Sequence, residues 1–238
     1  MKSVVFTLLV CVVMVHSQDY TDQANWGGDC TTGTKQSPIA LSTTPTSYTE
    51  NGDMDLNFHN IVRIGSTTVS TSSEVKFDPD EENVDTGYTI QTDFDKEDTE
   101  WEVIQMHWHA PSEHTVDGTN YPAELHIVHQ IRDENARDGS LLVVGLFFDT
   151  DVSGKGGADE FLDKWDFENL GSGEVTLPVD FFLNEMPKRK FWHYEGSLTT
   201  PDCTEGVNWY VMENVNKIEQ ADLDVIISKI GRDNNRDV

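Results

Sequence analysis

The sequence predicts a single, mainly β domain with one large sheet and short helices at its periphery. From Leu56 onward, short runs rich in β-branched and aromatic residues alternate with polar turns, as in strand-rich proteins. Only two stretches show a helical period. The chain has no internal repeat and no linker rich in Pro, Gly or Ser, and its roughly 220 residues after the N-terminal segment suffice for one core.

The elements follow in chain order. Residues 18–50 are rich in Gly, Thr, Ser and Pro and are predicted to be irregular. The predicted strands are Thr67–Ser70, Tyr88–Gln91, Trp101–His109, Ala123–Gln130, Leu141–Phe148, Phe191–Leu198 and Val207–Met212. The predicted helices are Asp159–Asn169 and Glu219–Ile230. The apolar stripe of the second helix comprises Leu223, Ile226, Ile227 and Ile230.

The first residues are typical of a signal peptide. Lys2 precedes an apolar run, Val4 to Val15, which is too short to span a bilayer. We expect a signal peptide over residues 1–17, followed by a domain over residues 18–238 of a secreted, extracellular protein. A buried N-terminal strand or helix is the alternative. No later stretch is long and apolar enough to cross a membrane, so the mature chain is predicted not to be membrane-spanning.

Two cysteines remain after the predicted cleavage, because Cys11 leaves with the signal peptide. In an oxidising compartment the pair Cys30 and Cys203 indicates one disulfide, and two free thiols are the alternative. The bond would close a long loop and constrain the unfolded chain by roughly 5 kcal/mol in the chain-entropy model.

The formal net charge of −27 argues against nucleic acid or an anionic membrane as a partner. Acidic residues concentrate in residues 78–82 and 93–100. A solvated surface that aids solubility explains them most simply. Contact with calcium or mineral, or adaptation to salt, is the alternative.

Three histidines suggest a metal site. On a strand alternate side chains share a face, so Gln105, His107 and His109 point one way. Glu124 and His126 share a face on a second predicted strand. If the two strands pair antiparallel, the three imidazoles converge, which leaves an open fourth position and is typical of catalytic rather than structural zinc. Gln105 and Glu124 are placed to accept the remaining N–H of the ligands that follow them.

These residues belong to a wider pattern that resembles the alpha-class carbonic anhydrases from about Tyr20 to Arg236. The stretches that carry the resemblance are residues 25–28 (NWGG), 36–39 (QSPI), 105–109 (QMHWH), 112–115 (SEHT), 123–126 (AELH) and 196–201 (GSLTTP). Their order and separations together are highly specific.

The resemblance implies a large twisted, mostly antiparallel sheet and a conical cleft with one Zn²⁺ per chain at its base, held by His107, His109 and His126. It also implies the Cys30–Cys203 pairing. The backbone carbonyl of Asn234 is implied to support His109.

The implied activity is reversible hydration of carbon dioxide to bicarbonate and a proton by hydroxide on the zinc. By resemblance, Thr199 accepts from that hydroxide and donates to an ionised Glu113, which orients the nucleophile. Thr200 lines the same wall. The implied apolar seat for carbon dioxide comprises Val128, Leu141, Val143, Leu198, Val207 and Trp209.

The chain departs from the family pattern at the position of the proton-shuttling histidine, where Ser66 stands. A serine does not titrate near pH 7, so turnover is expected to be limited by proton transfer. His59 is a weaker substitute for the shuttle. His114 and His129 match scaffold positions of the family, and His193 is expected to be incidental.

Two further expectations concern the end of the chain and the other function classes. The short distance from the last helix to Asn234 predicts a short or missing final strand. A non-catalytic secreted matrix protein that holds calcium or mineral is the alternative to an enzyme. Zinc-dependent peptide hydrolysis is disfavoured, because the sequence has no His-Glu-x-x-His motif.

Overall fold

The computed structural model describes residues 19–44, 50–53, 67–70, 74–77, 89–91, 100–131, 141–150 and 190–238. The strands are β1 Ala40–Leu41, β2 Glu50–Asp53, β3 Thr67–Ser70, β4 Glu74–Phe77, β5 Thr89–Gln91, β6 Glu100–His109, β7 Thr115–Val116, β8 Thr119–Asn120, β9 Ala123–Ile131, β10 Leu141–Asp149, β11 Lys190–Ser197 and β12 Glu205–Lys217. The helices within these ranges are a 3₁₀ helix, Tyr20–Asn25, and two α-helices, α1 Asp29–Thr32 and α2 Gln220–Ile230.

A large mixed sheet dominates the described residues. Its strand order is β2-β11-β12-β10-β9-β6-β4-β3, and β5 also pairs with β6. The one parallel pair of this sheet is β10 with β12, and every other pair in it is antiparallel. A smaller sheet joins β1, β7 and β8. The predicted mainly β fold with a mostly antiparallel sheet is therefore confirmed.

The central strands are apolar because both of their faces are covered. Residues 142–148 of β10 are all buried, including Phe147 and Phe148. Such a run is typical of a strand inside a sheet rather than at its edge. One face carries a buried cluster of Val128, Val143, Phe147, Trp192, Val207, Trp209 and Val211. This cluster lies directly beside the strands that present the histidines.

Most predicted elements are confirmed, with shifts at their ends. Helix α2 begins at Gln220 and ends at Ile230, and the left-handed backbone of Gly231 caps it. The prediction that residues 18–50 are irregular is wrong in part, because they contain the 3₁₀ helix, α1, β1 and the first residue of β2. The predicted helix Asp159–Asn169 lies outside the described residues. Residues 231–238 form no strand.

Cys30 and Cys203 form the predicted disulfide, with their Cα atoms 4.9 Å apart. The bond ties α1 to the turn between β11 and β12. In the part of the chain that the structure describes, no helix combines the length and apolar character needed to cross a bilayer.

Candidate metal centre

The register of β6 and β9 brings the three predicted histidines together. The strands are antiparallel, with His107 opposite His126 and His109 opposite Glu124. Facing residues of such a pair lie on the same side of the sheet. The imidazole centroids are consequently 4.6 to 5.1 Å apart. One nitrogen from each ring lies within 4.8 Å of the other two, so the three can share one ion.

Each ring is held by an acceptor on its outer nitrogen. Nδ1 of His107 lies 2.7 Å from Oε1 of Gln105, and Nδ1 of His109 lies 2.7 Å from the carbonyl of Asn234. Nε2 of His126 lies 2.9 Å from Oε1 of Glu124. These three oxygens only accept, so each outer nitrogen donates its N–H. In the neutral form of each ring the inner nitrogens, Nε2 of His107 and His109 and Nδ1 of His126, therefore carry lone pairs.

The inner nitrogens fit a zinc ion. Nε2 of His109 is buried and has no hydrogen-bond partner. Nδ1 of His126 lies 3.3 Å from Nε2 of His107, where two lone pairs face each other. Burial lowers the pKa of His109 to about 3 and also lowers that of His126, so both rings stay neutral. Three imidazoles whose inner nitrogens converge on one point are, in their neutral form, a donor set that zinc prefers.

Glu124 accepts four hydrogen bonds in full burial. Oε1 accepts from His126 and, at 2.7 Å, from Nδ1 of His114, and Oε2 accepts the backbone N–H groups of Glu113 and His114 at 2.9 and 3.0 Å. Burial alone would raise the pKa of Glu124, but His114 and His126 outweigh it and hold the pKa well below its usual range. Glu124 is therefore an ionised acceptor.

Glu113 lies beside the triad, with Oε1 3.4 Å from Nδ1 of His109. Oε1 accepts the backbone N–H of Arg236 at 2.8 Å. Burial raises the pKa of Glu113 well above its usual range, while the Thr199 hydroxyl and the Arg236 N–H act to lower it. Oε2 has no partner with full hydrogen-bond geometry, although the Thr199 hydroxyl lies close enough to act on the Glu113 carboxyl.

An apolar wall adjoins the histidines. Of the six residues predicted to form it, Val128, Val143, Val207 and Trp209 are buried in one cluster, against which Leu141 and Leu198 pack. The Trp209 ring lies 4.8 Å from that of His126, centroid to centroid. Thr199 is buried and Thr200 is partly buried.

Several residues beneath the site were missed by the sequence analysis. Tyr194 contacts Nε2 of His114 at 2.7 Å and Oγ of Ser37 at 2.9 Å. The Arg236 guanidinium donates to the carbonyl of Ser37 at 2.7 Å. Ser37 and Arg236 stand in stretches that carry or adjoin the family resemblance, but only the folded chain shows their contacts. His193 stacks on Tyr210, on the face of β12 opposite to Trp209.

Ser66 and His59 lie outside the described residues, and so do most of the residues of the two acidic stretches, 78–82 and 93–100. The roles predicted for these residues stay predictions. The same holds for the catalytic roles of Thr199 and Glu113, whose positions alone are given by the structure.

The comparisons with known proteins agree with this geometry. Alpha carbonic anhydrase 4 of Arabidopsis thaliana is 41% identical over 128 residues, which is 52% of this chain and 44% of the relative. The chain thus spans less than half the length of that relative. Carbonic anhydrase Cah3 from Chlamydomonas reinhardtii superposes with a TM-score of 0.70 at 25% identity, covering 94% of both chains. The alpha-carbonic anhydrase from Thermovibrio ammonificans gives 0.67 at 26%, covering 88% of this chain and 85% of that one.

The family model for eukaryotic-type carbonic anhydrases matches residues 21–237. This match includes every described residue of the histidine triad, its acceptors and the apolar wall. By this match, the chain belongs to the eukaryotic-type carbonic anhydrase family.

Proposed function

We propose that this protein is a zinc-dependent carbonic anhydrase that reversibly hydrates carbon dioxide to bicarbonate and a proton. The observation that carries the proposal is the convergence of one nitrogen from each of three buried imidazoles beside an apolar wall. His107, His109 and His126 would hold the ion. Three protein ligands leave an open position, as catalytic zinc requires.

Zinc bound there would supply the Lewis acidity that makes water a nucleophile near neutral pH. The residues of the protein orient the reactants and exclude bulk water from the site. Trp209 and the buried valines offer carbon dioxide an apolar surface next to the triad. Thr199 accepts from the attacking water and donates to Glu113, which fixes the direction of attack.

This role of Glu113 requires its ionised form. Burial opposes ionisation, and the Arg236 N–H and the Thr199 hydroxyl favour it. A divalent cation in the adjacent triad would oppose the effect of burial and lower the pKa of Glu113, because an opposite charge within a few ångströms stabilises a carboxylate. Metal binding and the orienting role of Glu113 are thus expected to be coupled.

The proposal is tested by stopped-flow carbon dioxide hydration, with zinc content measured on the same sample. We expect the wild-type protein to be active with one zinc ion per chain, and His107→Ala to lose both zinc and activity. His193→Ala is the matched control, since this ring faces away from the triad. A folded, fully zinc-loaded wild-type protein without hydratase activity would contradict the proposal.

We also propose that proton transfer limits turnover, because Ser66 stands where the family's fast members carry a histidine. We expect Ser66→His, or added imidazole buffer, to raise kcat for hydration. The effect should appear in kcat and not in kcat/KM, since the proton leaves after bicarbonate forms. An unchanged kcat under both treatments would contradict this proposal.

Secretion after cleavage of residues 1–17 is a further proposal. The Cys30–Cys203 disulfide supports it, because such bonds persist in oxidising compartments. N-terminal sequencing of the protein exported from a eukaryotic host is expected to begin near Gln18. Retention in the cytosol with Met1 intact would contradict the proposal.

The calcium or mineral alternative stays a prediction that calcium titration of the zinc-loaded protein can check. Some described carboxylates already accept hydrogen bonds within the protein. Asp117 accepts from Ser42 and Thr43, and Glu205 accepts from Lys35 and Gln36. They offer no argument for a calcium site.

A further inference from the structure

The C-terminal segment, residues 234–237, lies between the candidate metal centre and the 3₁₀ helix near the start of the domain. It has no regular structure, and its backbone groups make contacts on two sides. On the side of the metal centre, the carbonyl of Asn234 lies 2.7 Å from Nδ1 of His109. On the same side, the backbone N–H of Arg236 donates to Oε1 of Glu113 at 2.8 Å.

On the other side, the side chain of Gln23 binds the C-terminal segment twice. Its Nε2 donates to the carbonyl of Asn235 at 3.0 Å, and its Oε1 accepts the backbone N–H of Asp237 at 2.9 Å. A carbonyl and the N–H of the second residue after it are the pair of groups that a neighbouring strand bonds. The Gln23 carboxamide thus makes the two bonds of a strand neighbour, one on each side of Arg236.

The amide of Gln23 has one orientation that fits its surroundings. Its nitrogen also donates to the carbonyl of Tyr20 at 3.1 Å, so the nitrogen faces two carbonyl oxygens while the oxygen faces an N–H. A flipped amide would turn its oxygen toward both carbonyls and its nitrogen toward the N–H of Asp237, which leaves all three groups without a partner.

The helix that carries Gln23 is itself anchored. The Trp26 ring is buried, its Nε1 donates to the carbonyl of Asp19 at 3.1 Å, and its backbone N–H donates to the carbonyl of Gln23 at 3.1 Å. The Arg236 guanidinium lies 5.9 Å from the centroid of the Trp26 ring. Gln23 therefore has a defined position from which to hold the C-terminal segment.

One peptide group connects Gln23 to Glu113. The carbonyl of Asn235 and the N–H of Arg236 belong to the same peptide bond, which is trans, so the two groups point in opposite directions from one rigid plane. Gln23 binds one end of this plane, and Oε1 of Glu113 binds the other. Any rotation of the plane would break both contacts.

The direction of the Arg236 N–H determines which oxygen of Glu113 is available. Because Oε1 is bound by that N–H, Oε2 is the oxygen left to accept from the Thr199 hydroxyl in the proposed function. A peptide plane that rotates would allow the carboxylate to rotate as well. Thr199 would then hold the attacking water in a wider range of directions.

We propose that Gln23 is a positioning residue of the active site, which acts through the peptide group between Asn235 and Arg236 to hold the Glu113 carboxylate toward Thr199. The inference rests on the proposed function, in which Glu113 and Thr199 orient the attacking water. It assigns to the 3₁₀ helix a role in the reaction in addition to packing.

The test compares Gln23→Leu with Asn25→Ala in the zinc-loaded protein. Gln23→Leu keeps the approximate size of the side chain and removes its hydrogen bonds. Asn25→Ala removes an amide of the same helix that donates to Asp22 within that helix. Hydrogen exchange of the Arg236 amide, followed by nuclear magnetic resonance, reports on the peptide group directly. We expect exchange about tenfold faster in Gln23→Leu, because the hydrogen bonds that hold the peptide group are lost, and wild-type exchange in Asn25→Ala.

Stopped-flow kinetics distinguish positioning from a loss of folded enzyme. The hydration step, in which Glu113 acts, enters kcat/KM, whereas proton release is proposed to limit kcat. We expect Gln23→Leu to lower kcat/KM about fivefold, since even remote changes that misplace reacting groups slow catalysis, and to leave kcat and zinc content at wild-type values. A smaller folded fraction would instead lower kcat and kcat/KM by the same factor.

Gln23→Glu is the second variant, and it decides the question if Gln23→Leu does not fold. It keeps the acceptor for Asp237 but turns an oxygen toward the carbonyls of Asn235 and Tyr20, so we expect the same two changes.

A wild-type kcat/KM in the folded variant would overturn the inference while the proposed function stands. A lower kcat/KM without faster exchange at Arg236, or an equal fall in kcat and kcat/KM, would also overturn it. A zinc-loaded wild type without hydratase activity would overturn the proposed function and the inference with it.

Discussion

His126 and His129 lie three residues apart on β9 and face opposite environments. His126 joins the triad, whereas His129 is fully buried with Nδ1 3.3 Å from the carbonyl of Leu142. Burial lowers the pKa of His129 to about 4. In the unfolded chain the pKa of His129 is about 6.5. Between pH 4 and 6.5 the unfolded state therefore binds a proton at His129 more strongly than the native state does.

The pH dependence of stability follows with a definite sign. Above pH 6.5 His129 is neutral in both states and has no effect. Below pH 6.5 the unfolded state binds a proton at His129 and the native state does not, so the free energy of unfolding decreases as pH falls toward 4. Between pH 7.5 and 5 we expect the zinc-free wild type to lose about 2 kcal/mol more free energy of unfolding than His129→Gln does. Urea unfolding at both pH values measures this, and equal losses would contradict it.

At the scale of elements, the segment after α2 supports the end of β6. The Asn234 side chain donates to the carbonyl of Trp108 at 3.0 Å and accepts the N–H of Ala110 at 2.9 Å. Its own carbonyl accepts from His109. A segment without regular structure thus completes the hydrogen bonding of a strand that carries two of the three triad histidines.

Substitution of the Asn234 side chain separates its support of β6 from the contact of its backbone carbonyl with His109. Asn234→Ala leaves the carbonyl for His109 but orphans two buried backbone groups, and we expect the free energy of unfolding to fall by about 2–3 kcal/mol. Asn235→Ala is the matched control, because the contact of Asn235 with Gln23 runs through its backbone carbonyl. Chemical denaturation measures both variants. Equal stability of the two would show that Asn234 does not brace β6.

At the scale of the molecule, the disulfide joins parts that are distant in the sequence, 173 positions apart. It holds α1 against the turn that follows Thr199 and Thr200. The Arg236 side chain strengthens the same region by donating to Ser37 and to Gln36 at 3.0 Å. Three remote segments therefore meet beside the candidate active site.

Replacement of both cysteines by serine is expected to lower the free energy of unfolding by about 2–5 kcal/mol. Without the disulfide that closes the long loop, the unfolded chain has more conformational entropy. Urea unfolding of the wild type with and without reductant provides the comparison. Reductant should destabilise the wild type and leave the double variant unchanged. An equally stable double variant would contradict the expected contribution.

The sequence by itself determined the strands and the histidine set. Alternation along residues 105–109 placed His107 and His109 on one face, because side chains of a strand alternate between its two sides. Identity with the family pattern supplied Thr199 and Glu113 as candidates. These inferences depend on local geometry or on motif spacing, and both are written directly in the residue order.

Only the tertiary structure decided how the candidate site is held. The chain His126–Glu124–His114–Tyr194 depends on the register of β9 with β6 and on the position of β11, and pairing of distant strands is not a property of any local stretch. The space that Gly145 leaves for Glu124 likewise exists only because β10 lies beside β9. Long-range packing therefore sets the orientation and the hydrogen-bond partners of the three histidine rings, so that one nitrogen of each ring points at a common position.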